Sequence, residues 1–282
     1  MNLKKRMEYY KLGGVFSESE HLECLSEYKP KYLYQYKAGY DYDIKNLHSE
    51  DIWLSLPLYL NDPFEYEYGV YSHGILISCF TERSDSMLMW SHYSNGHQGY
   101  CLKYNFNDIY SKFESNLYPI IYSKERFKPT LTETGNTNEI INTFIHKAYE
   151  WRYEQEWRVF KLIPINRKKL NNIQINKGEC IKGPKPVEII MGCCSNYDLR
   201  YPMAEYCKNN NILLSRMSMK DSKYKLYKKI LPFDLFEPSE VNLDKIMKEY
   251  LKTDAAKKDL KIMKKQNEEA EKQHYARMKD FL

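Results

Sequence analysis

Short segments with strand composition recur between Tyr32 and Met217, and this recurrence constrains the fold more than any other feature of the sequence. Each segment is rich in β-branched or aromatic residues and is bounded by turn-forming residues. The segments cover residues 32–36, 52–56, 74–80, 99–104, 117–122, 154–163, 186–192 and 212–217. Because helical patterns separate only some of them, we expect an α+β fold in which helices flank a mixed central sheet of short strands.

Helical spacing of apolar residues appears in four segments, at residues 17–28, 84–93, 140–149 and 197–208. The last of these lies between two predicted strands, which indicates one β-α-β unit. Beyond Pro238 the chain is rich in Lys, Glu and Ala and contains neither Gly nor Pro. We therefore expect a single α+β domain over residues 1–236. A long charged helical extension over residues 237–282 could bind a partner or self-associate.

Charge and cysteine content limit the classes of function. The formal net charge of +5 is too small to indicate nucleic-acid binding by itself. Residues 216–230 hold six basic residues against one acidic residue, which suits either a solvated face or an anionic partner such as RNA. Seven cysteines lack C-x-x-C and C-x-C spacing, and no apolar run approaches the roughly 20 residues of a membrane span. These features favour a cytoplasmic protein with no membrane contact.

The first motif that could carry chemistry is Asn61-Asp62-Pro63-Phe64-Glu65. Turn formation explains the first three residues, because short polar side chains cap their own backbone and proline fixes φ. It does not explain Glu65 beside Phe64. A plain turn and a ligand-facing loop therefore both remain open.

The second motif joins a predicted helix end to a loop and contains Trp90, His92, Tyr93 and His97. Trp90 and Tyr93 lie three residues apart, so they share a helix face. Core packing would account for Trp90, whereas imidazoles at a helix end can stay solvated and titrate near neutrality. His92 and His97 are therefore either structural or functional. No metal is expected, because a third or fourth ligand at suitable spacing is lacking.

The third motif covers residues 151–158, with the sequence WRYEQEWR. If residues 154–163 are extended, Glu154, Glu156 and Arg158 lie on one face with period two. Two carboxylates about 6 to 7 Å apart along a strand repel each other and gain from a cation, which Arg158 supplies. The motif predicts either a surface salt-bridge ladder or a carboxylate pair for ribose binding or acid/base chemistry.

Taken in chain order, these motifs resemble the signature of a bacterial family catalogued as domain of unknown function 2971. The most specific elements are NDPFE at residues 61–65, MWSHY at residues 89–93 and YExEWR at residues 153–158. Residues 33–37, 79–82, 97–99 and 189–192 complete the resemblance. It spans roughly residues 32–217, and the predicted C-terminal extension lies outside it.

The layout of that family is in turn similar to the ADP-ribosyltransferase superfamily, which implies NAD as cofactor. By this resemblance Glu156 would hold the nicotinamide ribose and stabilise an oxocarbenium-like transition state, and Glu154 would orient the acceptor. Trp90 or Tyr93 would stack on the cationic nicotinamide. The NAD-binding residues implied in this way are Tyr34, Lys37, Trp90, His92 and Tyr93. Lys37 stands where the superfamily has Arg, and an ammonium cannot bind pyrophosphate in the bidentate manner of a guanidinium.

Three functional hypotheses follow. The first is an NAD-dependent ADP-ribosyltransferase-like effector, of the kind used as a toxin or in phage defence, with a protein or RNA acceptor. It predicts that the acidic, aromatic and imidazole side chains converge on one cleft, with Asn61 and Asp62 at its rim. The second is a non-catalytic nucleotide- or RNA-binding module that stacks bases on Trp and Tyr. The third is a metal-dependent hydrolase using Asp62, Glu65, His92 and Glu156, although no ligand motif links them.

Overall fold

The structure is a computed structural model that describes residues 29–65, 75–113, 116–127, 141, 143–163 and 177–231. The chain divides into two units, Met1–Phe233 and Asp234–Leu282, and every described residue belongs to the first. The predicted helix at residues 17–28, the predicted boundary at residues 236 and 237, and the predicted extension lie outside the described residues.

The described residues form twelve strands, four α-helices with described bounds and three short 3-10 helices, and residues 141 and 143–145 are also helical. The strands are β1 Tyr32–Lys37, β2 Asp51–Ser55, β3 Ile75–Thr81, β4 Tyr100–Asn105, β5 Leu117–Pro119, β6 Ile121–Ser123, β7 His146–Ala148, β8 Glu156–Leu162, β9 Gly178–Lys182, β10 Glu188–Met191, β11 Leu213–Lys220 and β12 Lys223–Ile230. The α-helices are α1 Asp41–His48, α2 Met87–Tyr93, α3 Phe106–Phe113 and α4 Tyr197–Asn210. The 3-10 helices are Pro57–Tyr59, Pro63–Glu65 and Tyr149–Glu154.

Ten of these strands form one mixed sheet. Its main path runs β12-β11-β10-β4-β1-β3-β2-β9, with β8 paired to β3 and β5 paired to β8. Strands β10 and β11 are parallel and are joined through α4, which confirms the predicted β-α-β unit. The other pairings in this sheet are antiparallel, and β6 and β7 form a separate parallel pair. The predicted α+β class with a mixed central sheet is confirmed.

The sheet divides at β3, a strand that is buried along nearly its whole length. One edge of β3 pairs with β8 from end to end. The other edge is shared, because β2 pairs with it at Ile77 and β1 pairs with it at Thr81. Between these points the side-chain amide of Gln35 donates to the Ser78 hydroxyl at 3.0 Å and to the Cys79 carbonyl at 3.4 Å. This bridge satisfies buried polar groups of β3 and leaves space between β1 and β2.

Helix α2 is fixed by its first turn and by one buried indole. Ser86 caps the helix, since its hydroxyl accepts from the Met89 backbone N–H at 3.4 Å. Trp90 is fully buried and contacts Tyr36 edge-on, with ring centroids 4.9 Å apart. Its indole N–H donates to the Ser84 carbonyl at 2.8 Å. These contacts fix the last turn of α2, which carries His92.

Three local predictions need correction. The helix predicted over residues 140–149 ends early. Residues 141 and 143–145 are helical, whereas residues 146–148 form β7 and pair with β6. The strand predicted over residues 117–122 is two strands, β5 and β6, on either side of Ile120. The strand predicted from Glu154 begins at Glu156, because Gln155 adopts a left-handed backbone with φ of 45°.

No helix among the described residues is long and apolar enough to cross a membrane.

Candidate functional site

A cavity of about 450 Å³ lies where β1 and β2 separate on β3. This volume is within the range of small-molecule sites, roughly 300 to 1,000 Å³. Strands β1, β2 and β3, the turn before the NDPFE motif, the last turn of α2, and the region from β7 to β8 all contribute to the wall. Aromatic residues form much of it: Tyr34, Tyr36, Trp53, Tyr59, Phe80 and Tyr93.

A chain of hydrogen bonds crosses the cavity wall. The Asn61 side-chain amide donates to the Tyr93 hydroxyl, and that hydroxyl donates to one carboxylate oxygen of Glu154. The other carboxylate oxygen of Glu154 accepts from the Lys147 ammonium at 2.7 Å. Lys147 also donates to Glu156 at 3.1 Å, so one buried cation joins both glutamates.

Arg158 extends this chain away from the cavity. Its guanidinium donates to both carboxylate oxygens of Glu156, at 2.7 Å and 3.1 Å, and to one carboxylate oxygen of Glu65. A further N–H donates to the Phe144 carbonyl at 2.8 Å. We call Glu65, Lys147, Glu154, Glu156 and Arg158 the cavity cluster. Its five side chains are at most 5% exposed, and among the described residues its three carboxylates pair with two cations.

The backbone around Gln155 places the two glutamates together. The 3-10 helix ends at Glu154, whose carbonyl accepts from the Thr81 hydroxyl, and the left-handed Gln155 turns the chain into β8. The Glu156 backbone N–H then donates to the Tyr122 hydroxyl at 2.8 Å. Both acidic side chains therefore line one cavity although the segment is not the continuous strand that the sequence predicted.

The two glutamates that share Lys147 differ in pKa. Burial raises the pKa of Glu154, and the negative charge of Glu156 raises it further, to about 7. Burial also opposes ionisation of Glu156, but the charges of Arg158 and Lys147 outweigh it and lower that pKa to about 2. The pair is thus a fixed anion beside a carboxyl that can exchange a proton near neutral pH.

Four of the five predicted NAD-binding residues line the cavity. They are Tyr93, described above, and Tyr34, Lys37 and His92. His92 is exposed, and its Nδ1 lies 3.1 Å from the Tyr153 hydroxyl. Burial lowers the pKa of the Lys37 ammonium, although the charge of Asp43 opposes this.

Two residues of the predicted site lie elsewhere. Trp90 belongs to the core and does not line the cavity, because its ring packs against Tyr36 and its N–H is already bonded. His97 lies in the loop after α2 with φ of 68°, and its Nδ1 is 3.7 Å from the Cys193 sulfur. Neither side chain can contact a ligand in the cavity as placed.

The remaining predicted residues, Asp62, Phe64 and Glu65, line a second cavity of about 280 Å³. Arg158 lies buried between Glu65 and Glu156 and so connects the walls of the two cavities. Among the described residues, no three His, Cys, Asp or Glu side chains are grouped so that they could hold a metal ion.

Lys147 is the member of the cavity cluster that the sequence did not reveal. It falls within residues 140–149, which were predicted to be a helix, and it belongs to none of the motifs. In the structure its side chain is 2% exposed, Lys147 lies in β7, and its ammonium is 4.9 Å from the centroid of the Trp151 ring. No local pattern signals this, because the pairing of β7 with β6 is a contact between distant parts of the chain.

A family model described as "Protein of unknown function (DUF2971)" matches residues 89–159. The matched residues run from α2 to β8, so they include Tyr93 and four of the five members of the cavity cluster. The NDPFE motif lies outside them. This match supports the resemblance to that family. No curated protein and no solved structure matches the chain.

Proposed function

We propose that the chain is an ADP-ribosyltransferase-like enzyme that cleaves the bond between nicotinamide and ribose in NAD and transfers the ADP-ribosyl group to an acceptor. The observation that carries this proposal is the excess of buried carboxylates over cations at the wall of an aromatic cavity. A buried site with more carboxyl groups than cations favours a cationic ligand and a transition state in which positive charge develops, because the added positive charge lets the extra carboxyl ionise.

This environment suits both the bound NAD and the transition state of the reaction. NAD carries a cationic pyridinium, for which the faces of Tyr34 and Tyr93 are suitable neighbours. When the glycosidic bond breaks, nicotinamide leaves with the bonding electron pair and becomes neutral, while positive charge moves to the ribose. An acceptor oxygen or nitrogen then bonds to the sugar carbon and loses its proton to a base.

Glu154 is the residue that we assign to this base. Its carboxyl has a pKa of about 7, near the value that serves proton transfer at neutral pH, and it lies in the cavity wall. Glu156, which the family resemblance implied as the ribose-binding residue, is held by Arg158 and Lys147. We therefore assign Glu156 as a positioning residue that keeps Lys147 and Arg158 in place.

Release of nicotinamide from NAD tests the proposal. Wild-type protein is incubated with NAD and with cell extract as a source of acceptors, beside Glu154→Gln and the control Glu205→Gln. Glu205 is an exposed glutamate of α4, remote in sequence from the cluster. Loss of a general base lowers rates by about 10²- to 10⁴-fold, so we expect at least a 100-fold fall for Glu154→Gln only. No release by wild type, or equal release by all three proteins, would contradict the proposal.

A second candidate function is supported by the β11–β12 hairpin, which contains the basic residues noted in the sequence. Tyr224 of β12 is 99% exposed, and its neighbours in sequence, Lys223 and Lys225, are exposed as well, so the strand offers both an aromatic ring and ammonium groups to solvent. Such a surface suits stacking of a base and contact with its phosphates. A labelled RNA oligomer should bind with an affinity that falls with salt and with Tyr224→Ser. Binding that is absent or independent of salt would contradict it.

A further inference from the structure

The second cavity is lined by a different set of charged residues from the first. It has a volume of about 280 Å³ and is lined by residues of the NDPFE motif, by β6 and the residues after it, and by β7. Lys147 lines both cavities, but its ammonium is engaged by Glu154 and Glu156. The volume is below the range of roughly 300 to 1,000 Å³ for drug-sized ligands, so it suits a side chain or a small amine better than a nucleotide.

Two buried carboxylate oxygens of residues in this wall have no hydrogen-bond partner within the part of the chain that the structure describes. They are one oxygen of Asp62 and one oxygen of Glu65, on residues that are 2% and 5% exposed. The other oxygen of Asp62 accepts from the Phe64 backbone N–H at 3.0 Å, and the other oxygen of Glu65 accepts from Arg158. A buried acceptor without a donor costs about 1 to 3 kcal/mol, and more when it is charged, so both oxygens favour a ligand that brings donors.

The charges around the cavity indicate the charge of that ligand. The cluster has one carboxyl group more than it has cations. Of the other lining residues, Asp62, Glu125 and Glu150 are acidic and Lys124 and Arg126 are basic, so acidic groups remain in excess. Burial raises the pKa of Glu65, although the positive charge of Arg158 opposes this, so the site gains from added positive charge. Phe64 presents a ring that is 56% exposed and already attracts the Arg126 guanidinium, 5.5 Å from its centroid.

We infer that the Asp62–Glu65 cavity binds a guanidinium or ammonium group of a small molecule or of a side chain, with the two unpaired carboxylate oxygens as acceptors. A further assignment rests on the proposed function: this cavity is the acceptor subsite, and its ligand is the group that receives ADP-ribose. Asp62 and Glu65 then select a cationic acceptor, and Phe64 covers one face of it.

Binding of two matched probes tests the inference on the full chain. Butylguanidine and butylurea have nearly the same shape, but only the guanidine is charged. A charge-assisted hydrogen bond contributes about 1.5 to 3 kcal/mol, so we expect butylguanidine to bind at least about tenfold more tightly by calorimetry. Equal affinities for the two probes would overturn the inference.

Three variants locate the binding. Asp62→Asn keeps the acceptor for the Phe64 N–H but removes the charge, so we expect at least a tenfold loss of butylguanidine affinity. Glu125→Gln removes a charge from an exposed residue of the same cavity and should change affinity less than twofold. Phe64→Leu, at an exposed position, should weaken binding about two- to fivefold through loss of the cation–π contact. Unchanged binding to both Asp62→Asn and Phe64→Leu would overturn this site, whether or not Asp62→Asn folds less stably.

The same samples separate this inference from the proposed function. Butylguanidine binding that requires Asp62, in a protein that does not cleave NAD, would leave the cation site standing and remove its role as acceptor subsite. Cleavage of NAD without butylguanidine binding would leave the enzyme standing and overturn the cation site.

Discussion

Two buried carboxylate clusters in the same sheet differ in how their charges are balanced. Glu188 of β10 is 1% exposed and accepts from Lys103 at 2.9 Å, from Lys228 at 2.8 Å and from the Ser215 hydroxyl at 2.6 Å. One carboxylate there has two cations and a hydroxyl. The cavity cluster has three carboxylates for two cations, and one oxygen of Glu65 accepts from no donor among residues 29–65, 75–113, 116–127, 141, 143–163 and 177–231.

The pKa values follow this balance. Burial opposes ionisation of Glu188, but hydrogen bonds from Lys228, Ser215 and Lys103 outweigh it and lower the pKa. At Glu154 burial and a neighbouring anion act together, and the pKa rises to about 7. A fully paired carboxylate holds strands together, whereas a carboxylate in an underpaired cluster keeps a proton that it can exchange. The Glu188 cluster therefore has the properties of a structural ion pair, whereas the cavity cluster has a raised carboxyl pKa of the kind found at functional sites.

The largest expected effect is on stability, when each cluster loses one cation. Arg158→Met leaves Glu65 and Glu156 buried with Lys147 alone, and breaking a buried ion pair in this way costs about 3 to 5 kcal/mol. Lys228→Met should cost less than about 1 kcal/mol, since Lys228 is partly exposed and Lys103 stays on Glu188. Urea unfolding of both variants measures the difference. Equal losses of unfolding free energy in the two variants would show that the two clusters do not differ in how their carboxylates are paired with cations.

The pH dependence of stability should differ in sign between the clusters. The unfolded chain releases the Glu154 proton near pH 4.5, whereas the folded protein retains it to about pH 7, so this group makes stability fall over that interval. Glu154→Gln removes this pH dependence. As pH rises from 4.5 to 7, its free energy of unfolding should increase relative to that of wild type, by up to about 3 kcal/mol. Unfolding curves at several pH values measure this gain.

Glu188→Gln is the matched control for that experiment. The pKa of Glu188 is lowered, so its contribution is present above the ordinary pKa of a glutamate and is lost as pH falls below it. Its replacement should leave the slope between about pH 4.5 and pH 7 unchanged. A wild-type slope that survives in Glu154→Gln would contradict the assignment.

The smallest expected effect concerns Tyr93, whose hydroxyl donates to Glu154 and favours its ionised form. Tyr93→Phe should raise the pKa of Glu154 and move the acid side of the kcat/KM profile for nicotinamide release to higher pH by about one unit or less. Tyr224→Phe, at a 99% exposed tyrosine, should leave the profile in place. A shift to lower pH in Tyr93→Phe would mean that this hydroxyl does not stabilise the anion.

Local sequence patterns predicted much of the sheet. Strands β1, β2, β3, β4 and β10 and helices α2 and α4 lie within a few residues of their predicted bounds, because alternation, apolar runs and caps are properties of neighbouring residues. Strand β12 was not predicted. Its Lys-rich sequence buries only Leu226, a composition that suits the edge of a sheet and gives little strand signal.

The candidate site was predicted in part. The motifs identified Tyr93, Glu154 and Glu156, which the fold brings to one cavity. They also selected Trp90, because the sequence does not show which aromatic residue of a short helix faces the core. The pair of Arg158 and Glu65 joins residues 93 positions apart, and Lys147 reaches its partners through β7. Such contacts depend on strand register over long separations, which local patterns do not specify.

The central claim is that the cavity cluster has one carboxyl group more than it has cations, so that Glu154 keeps a proton and releases it when a cationic ligand binds. An NMR titration of ¹³C-labelled glutamate carboxyls, with the Glu154 signal assigned by its loss in Glu154→Gln, measures this directly. The account predicts an apparent pKa near 7 for Glu154 in the free protein and a lower value with NAD bound, because the pyridinium favours the anion. An apparent pKa near 4.5 that does not change with NAD would contradict it.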